Sequence, residues 1–157
     1  MPVPDAALQI LAAIFGVTQF SKVIRDLTPE HREMVAFWMQ YARENQKLLL
    51  ESGFIPYEPH FLYPIIKAYT ETEEIIAIYA MNKLLHPDLR KNRVHIINAT
   101  KEAKCYLRVD CDAHVKLTRR DCRGRIVSQE EKIVPKGICT MEISRSRLPE
   151  LTKIIKK

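Results

Sequence analysis

The sequence predicts an α+β protein, with helices in the first third followed by an antiparallel β-sandwich. Three observations predict it. Residues 28–53 repeat apolar side chains at helical spacing. From residue 65 onward, short runs rich in β-branched residues recur at near-regular intervals. Between the two regions, Pro56, Pro59 and Pro64 forbid a regular helix. A length of 157 residues suits one domain, or one small domain with an appendage.

Residues 1–17 predict a helix that is apolar nearly all round, with Asp5 as its N-cap after Pro4. Leu8, Leu11, Ile14 and Phe15 fill one face, and Ile10, Ala13 and Val17 much of another. Such a helix is normally covered on more than one side, and nothing later in the chain is an obvious cover for all of it. Residues 18–27 form a connector. Thr28 then caps the main helix, with Pro29 at its first position and Glu30 and Glu33 near the positive end of its dipole. Met34, Phe37, Trp38, Tyr41 and Leu48 form one apolar stripe, expected as core, and Gly53 is the expected stop. The predicted helix runs about 23 residues, or about 35 Å.

Residues 55–64 read as an extended linker between a helical segment at 1–54 and a β-domain at 65–157. Strands are expected at 65–69, 75–81, 94–97, 105–109, 115–119, 125–127 and 138–143. Residues 70–73 form a hairpin turn, and Gly124 supplies the positive φ in the turn at 121–124. The tail at 148–157 is expected to form a short helix, its lysines Lys153, Lys156 and Lys157 suiting the C-terminal end.

Composition narrows the function. Hydrophobic residues make up 46% and charged residues 28%, the profile of a globular rather than a disordered chain. With 4 glycines the chain has no glycine-rich phosphate cradle. Charge is uneven: residues 1–89 hold 7 Lys/Arg and 11 Asp/Glu, a net −4, and residues 90–157 hold 18 and 8, a net +10, together giving the overall +6. Cys105, Cys111, Cys122 and Cys139 form no C-x-x-C pair and fit no common zinc spacing, so no metal site is expected. Free thiols in a reducing cytoplasm are the expectation. The apolar run at 6–17 has no basic residue before it and is too short to span a membrane.

Candidate catalytic groups are few. Asp110 and Asp112 share a strand face but flank Cys111 at a turn. Glu73-Glu74 and Glu130-Glu131 point opposite ways in a strand and read as surface charge. Among His31, His60, His86, His95 and His114, no two stand four apart as on a zinc-binding helix. A Cys–His dyad joining Cys105, Cys111 or Cys139 to His95 or His114 is formally open, against the simpler reading of buried free thiols. No catalytic, cofactor-binding or metal residue is assigned.

Three segments carry a family resemblance. AALQILAAIFGVTQFS spans residues 6–21. LTPEHREMVAFWMQYARENQKLLLESGFIPYEPHFLYPII spans 27–66 and contains W-x-x-Y-x-R-E-N (Trp38, Tyr41, Arg43, Glu44, Asn45), G-F-x-P and Leu62-Tyr63-Pro64. IIAIYA at 75–80, HIINAT at 95–100 and the DCRG turn complete the set. In order and spacing they resemble the seam between catalytic barrel and C-terminal β-domain in α-galactosidase-like glycoside hydrolases, family 36. The resemblance implies that residues 1–54 end a (β/α)8 barrel and that the rest is the C-terminal β-sandwich. It implies hydrolysis of terminal α-galactosides with retention, which needs two carboxylates about 5 Å apart. The family's catalytic aspartates lie on barrel strands upstream of Met1, so the chain alone is expected to be inactive, a non-catalytic fragment that braces the barrel. Past residue 144 the resemblance ends.

Two other functions stay open from the residues. A stand-alone carbohydrate-binding or interaction module would present aromatics to a sugar, but past residue 79 the sole aromatic is Tyr106. A polyanion-binding surface would use Arg119, Arg120, Arg123 and Arg125, without the aromatic interleaving that nucleic-acid binding favours. Self-association through the apolar first helix is expected, and neither nucleic acid nor membrane is an expected partner.

Overall fold

Two strand segments of the sequence are almost continuously apolar where the others alternate, and they decide the layering. Ile75-Ile76-Ala77-Ile78 and Val94 to Ile97 leave no solvent face, the pattern of strands buried on both sides. In the computed structural model, which describes residues 1–16, 24–144 and 146–154, both stretches are buried at nearly every position. The protein is mixed α+β and mostly β, with three α-helices and ten strands among the described residues.

The helices are α1 (Val3–Leu11), α2 (Pro29–Glu44) and α3 (Gln46–Leu50). The strands are β1 (Gly53–Tyr57), β2 (Ile65–Tyr69), β3 (Glu73–Ile78), β4 (Leu84–Leu85), β5 (Arg93–Asn98), β6 (Lys104–Val109), β7 (Ala113–Arg120), β8 (Ile126–Val134), β9 (Gly137–Glu142) and β10 (Leu148–Lys153). A seven-stranded sheet has the order β1-β2-β3-β5-β10-β7-β8, and a three-stranded sheet the order β4-β6-β9.

The large sheet is covered on both faces. Ile65, Ile76, Ile78, Val94, Ile96, Val115, Leu117 and Leu151 pack against Leu85, Cys105, Leu107, Met141 and Ile143 of the small-sheet side. On the opposite face Ile75, Ala77, Ile97 and Leu148 pack against Ala7, Ile10, Leu11, Met34, Trp38, Tyr41, Leu48 and Leu49 of the helices. Burying each large aliphatic side chain contributes roughly 1.5–3 kcal/mol.

The structure corrects several expectations. The pairings β3–β5 and β4–β6 are parallel, so the sheets are not wholly antiparallel. Residues 148–153 form no helix: β10 lies between β5 and β7, because Leu148 and Leu151 alternate onto the two faces. Pro149 is tolerated there because it falls outside the three-residue register with β5. Residues 53–57, within or bordering the expected linker, pair with β2 along five positions, and Pro56 is compatible with that edge place.

The long second helix is broken at Asn45. Its amide donates to the Tyr41 carbonyl at 2.9 Å, and its backbone (φ −104°, ψ 16°) leaves the helical region. Gly53 is no helix stop. It opens β1, where an added Cβ would lie 2.5 Å from the Tyr69 ring. Helix α1 starts at Val3, so Asp5 sits in its first turn rather than capping it. The same helix is covered within the chain: Ala6, Ala7, Ile10, Leu11 and Ile14 are buried, and Tyr79 donates from its hydroxyl to the Leu11 carbonyl at 2.8 Å. Leu8, Ala13 and Phe15 of the same apolar run are half-buried.

Other expectations hold. Thr28 caps α2, accepting from the His31 backbone at 3.4 Å, with Pro29 in the first turn. The strand at 65–69 has the expected bounds. Most of the connector at 18–27 lies outside the described residues, as do Val17, Arg145, Lys156 and Lys157. All four cysteines are free thiols. Among the described residues, no helix is long and apolar enough to cross a membrane.

Gly124 offers a test of how α2 meets the β7–β8 turn. Its φ is +82°, and an added Cβ would lie 2.2 Å from the Phe37 ring. Gly124→Ala is expected to destabilise by at least the 1–3 kcal/mol, roughly, of a left-handed alanine. Gly137→Ala, with φ +121° and nothing within 4 Å of the new Cβ, isolates the backbone component. Urea denaturation of the two variants should show the larger loss at Gly124; equal losses would mean the ring contact contributes nothing.

Candidate functional site at the helix–sheet seam

The conspicuous polar feature of the molecule lies between the helices and the large sheet. The stripe Met34, Trp38, Tyr41 turns one side of α2 toward the sheet, with Trp38 fully buried. Strand alternation places His95 on the same sheet face as Ile97, next to Ile75 across the parallel register. The Tyr41 hydroxyl and His95 Nδ1 are 2.7 Å apart. His95 Nε2 is 3.6 Å from Glu150 Oε2, and Glu150 faces His95 directly across the β5–β10 register.

The hydroxyl and the ring are enclosed, whereas the Glu150 side chain is 26% exposed. Tyr41 is 5% exposed and His95 3%. Nε2 makes no hydrogen bond among the described residues, and a proton placed on it in the neutral ring would face the Glu150 carboxylate, which only accepts. In that tautomer Nδ1 is bare and accepts from the Tyr41 hydroxyl. Burial holds the Tyr41 hydroxyl well above the ordinary tyrosine range, so it stays protonated. The His95 ring beside Glu150 holds that carboxyl below the usual carboxylate range; Arg93 and Arg120 act in the same direction, and burial opposes them.

Asn45 continues the network. Its side-chain oxygen accepts from Arg93 at 3.2 Å, and Arg93 pairs with Glu73 at 2.9 Å. Farther along β5, the Asn98 side chain donates to the Glu102 and Ile143 carbonyls at 2.7 and 2.6 Å. Its oxygen accepts from the Thr100 backbone and hydroxyl at 3.0 and 2.7 Å. Asn98 thereby ties two loops together at the end of the strand.

A second feature lies beyond β1. Glu58, Leu62 and Tyr63 all have left-handed backbone, with φ of 50°, 59° and 56°, and so does Asn82 at 56°. Such residues cost about 1–3 kcal/mol each and persist where the surroundings hold them. Here Lys83 pairs with Glu58 at 2.6 Å and lies 5.3 Å over the Phe61 ring, and the Tyr79 backbone donates to the Pro64 carbonyl at 2.8 Å. The turn presents Phe61, Leu62, Tyr63 and Met81 outward at 65, 88, 44 and 55% exposure.

The other residues singled out in the sequence fall apart as sites. Asp112 accepts from the Lys136 backbone at 2.7 Å, a turn bond, and Asp110 is exposed. Cys105 belongs to the core between the sheets, on the face opposite His95, and burial pushes its thiol up to about 12. His114 stands 3.8 Å from Glu131. Glu74 is no surface charge: it is buried, 3.6 Å from Lys67, and accepts from the Asp88 backbone at 2.7 Å.

The arginine group is a clamp. Arg125 grips Glu33 of α2 with two bonds of 2.7 and 2.8 Å, Arg119 pairs with Glu130 at 2.8 Å, and Arg120 donates to the Gly124 carbonyl at 3.0 Å. Arg123 lies 3.8 Å from Asp121 and 3.9 Å from Glu33. Tyr106 is 38% exposed on the small sheet, in register with Thr140. An open groove of about 470 Å³ is lined by Val3, Pro4, Asp121, Cys122, Arg123, Ser144 and Arg147. Among the described residues, no three His, Cys, Asp or Glu side chains are placed to hold a metal ion.

The quoted motifs anticipated parts of the seam but not their connection. Trp38, Tyr41 and Asn45 come from one motif and His95 and Asn98 from another, whereas Glu150 lies outside both. Leu148 and Leu151 stand three apart, a helical spacing, so no local signal placed it. No protein-family model matches the chain, and no curated protein matches it in sequence.

Glu150 gives the seam a definite acid response. Its folded pKa lies below the ordinary value, so its contribution is present above the unfolded carboxylate range and is lost as pH falls through the lowered value. Glu150→Gln is therefore expected to lower stability at pH 7 and to shrink the stability difference between pH 7 and pH 3. Urea midpoints at the two pH values measure it; an unchanged difference would show that the carboxylate is not coupled to folding.

Proposed function

We propose that the chain is the non-catalytic C-terminal part of a retaining α-galactosidase-like glycoside hydrolase. Its first 54 residues would close the last unit of a (β/α)8 barrel, and the two sheets would form the C-terminal β-sandwich. The chemistry would lie on barrel strands upstream, and this part would brace them.

One observation carries the reading. The segment that the family resemblance assigns to the barrel's end shares a closed core with the β-strands, Trp38, Tyr41 and Leu11 packing on the side that bears Ile75 and Ile97. A brace has to move with what it supports, and a common core couples the two in that way. The motif residues that suggested the family, Trp38, Tyr41, Asn45, His95 and Asn98, make the polar and aromatic joints of that coupling. The apolar turn at Phe61 to Tyr63 supports the same reading: a rigid knob of this kind suits docking against the barrel. Four free thiols accord with a cytoplasmic enzyme.

The decisive test is the size of the native polypeptide. An antibody raised against the 157-residue chain should detect, in source cells, a protein larger by at least the roughly 250 residues of a barrel. A native protein of 18.3 kDa would overturn the proposal. The purified chain should not hydrolyse p-nitrophenyl α-galactoside; turnover that survives further purification would overturn the non-catalytic assignment.

A further inference from the structure

The two edges of the large sheet are built differently. β1 is five residues long, and Pro56 within it has no N–H to offer a further strand. β8 runs nine residues, contains no proline and, among the described residues, pairs with β7 alone. Its far side is a row of backbone N–H and C=O groups without a strand beside it. Sheets ordinarily shorten, bend or charge such an edge. A register shift between Arg119 and Arg120 inserts one residue near the turn, and 128–134 then run in unbroken register. Lys132 is the sole lysine of the strand, whereas Ile126, Val127 and Ile133 are 51, 50 and 69% exposed.

The register with β7 sorts the β8 side chains by face. Ser128, Glu130 and Lys132 lie opposite Arg119, Leu117 and Val115, on the side of the small sheet. Gln129, Glu131 and Ile133 lie opposite Thr118, Lys116 and His114, on the other side. The strand is self-complementary when two copies run antiparallel with Glu130 on a two-fold axis. Counting outward from Glu130, Gln129 then meets the partner's Glu131, Ser128 the partner's Lys132 and Val127 the partner's Ile133, each pairing made twice. The Val–Ile pairs remove β-branched side chains from water at both ends. On the small-sheet face the partner's Lys132 is the diagonal neighbour of Glu130, within reach of a long side chain. Each Glu130 also keeps its own Arg119 at 2.8 Å, so the central carboxylates are surrounded by cations. A shift of two residues either way sets Ile133 against Gln129 or Arg125 instead.

We propose that β8 is a dimerisation edge: two copies of this chain pair antiparallel through β8, centred on Glu130, and join their seven-stranded sheets into one continuous sheet. Pairing β8 with the β1 edge of another copy would be head-to-tail and open-ended, and Pro56 opposes it. The two-fold pairing closes on itself and leaves the proline-bearing edges outermost. The inference is carried by residues of this chain and does not depend on what lies upstream of it.

A single pair of strands is a small interface, so the dimer is expected to dissociate in the micromolar range. Sedimentation equilibrium of the 157-residue chain from about 1 to about 200 μM should show the mass rising from 18.3 kDa toward twice that value. Ile133→Lys should abolish the dimer over that range. Gln129→Lys faces the partner's Glu131 at two places and should tighten the dimer about fivefold, and Gln129→Glu should weaken it by a similar factor. Net charge alone predicts the reverse order, because at +6 an added lysine raises the repulsion between copies and an added glutamate lowers it. Far-UV circular dichroism shows that each variant is folded. If Ile133→Lys fails to fold, the Gln129 variants decide alone, since that side chain is exposed. A chain that stays at 18.3 kDa, a dimer that survives in folded Ile133→Lys, or Gln129 variants that do not shift in these two directions would overturn the proposal.

Discussion

The parallel pairing of β3 with β5 is the constraint on which the rest of the structure depends. These two strands lie inside the large sheet and are buried on both faces, so each residue faces one core or the other. Ile76, Ile78, Val94 and Ile96 commit to the small-sheet side, and Ile75, Ala77, His95 and Ile97 to the helices. A shift of one residue in their register would exchange these sets and put His95 among aliphatic side chains. Parallel neighbours also need a crossover, and residues 79–92 supply one that crosses the small sheet as β4. The buried Glu74, bonded to the Asp88 backbone, pins that crossover to the start of β3. Its pairing with Lys67 offsets the cost of burying the charge.

The helices keep their place through a few directional contacts laid over a general apolar one. Trp38 and Leu11 would tolerate some sliding across Ile75 and Ile97. The Tyr41–His95 bond, the Asn45–Arg93 bond and the Arg125–Glu33 clamp would not, since each fixes a point on α2 or its end to a point on a strand or turn. Arg125 and Glu33 lie in water and set direction more than they add stability. The buried contact at His95 is the more consequential one, because every hydrogen bond withheld there is withheld inside the core.

Local patterns made the helices and most strands legible, and distant pairings hid the rest. Thr28-Pro29 marked a helix start because capping is a local matter, and Gly124 marked a turn because its backbone demands it. The β-strand at 148–153 was hidden because Pro149, a lysine-rich tail and leucines three apart do not read as a strand, and only β5 and β7 reveal the gap it fills. Asn45 breaks a continuous helical periodicity, its amide bonding the Tyr41 carbonyl and its oxygen meeting Arg93 from 48 positions away, and neither contact leaves a mark in the apolar pattern. The arginines at 119–125 looked like a free basic patch since their partners Glu33 and Glu130 come from other segments. At the seam, Tyr41 was legible as core but not as a hydrogen-bond donor, because His95 joins it from 54 positions away.

The place of β10 bears on the order of events during synthesis. The strands β1, β2, β3 and β5 form one contiguous half of the large sheet and β7 with β8 the other, and β10 alone joins them. A nascent chain that has not yet reached residues 148–153 holds two separate sheet fragments, each with a bare edge where β10 will insert. At roughly 5–20 residues per second, β5 waits several seconds for its neighbour with its backbone unpaired on that side. Such an edge is where another chain's strand can add wrongly, and the interval is an opening for a chaperone to occupy. The same arrangement makes folding an event near the end of translation of this segment rather than a gradual one, since the two halves close together only when the last strand slides between them.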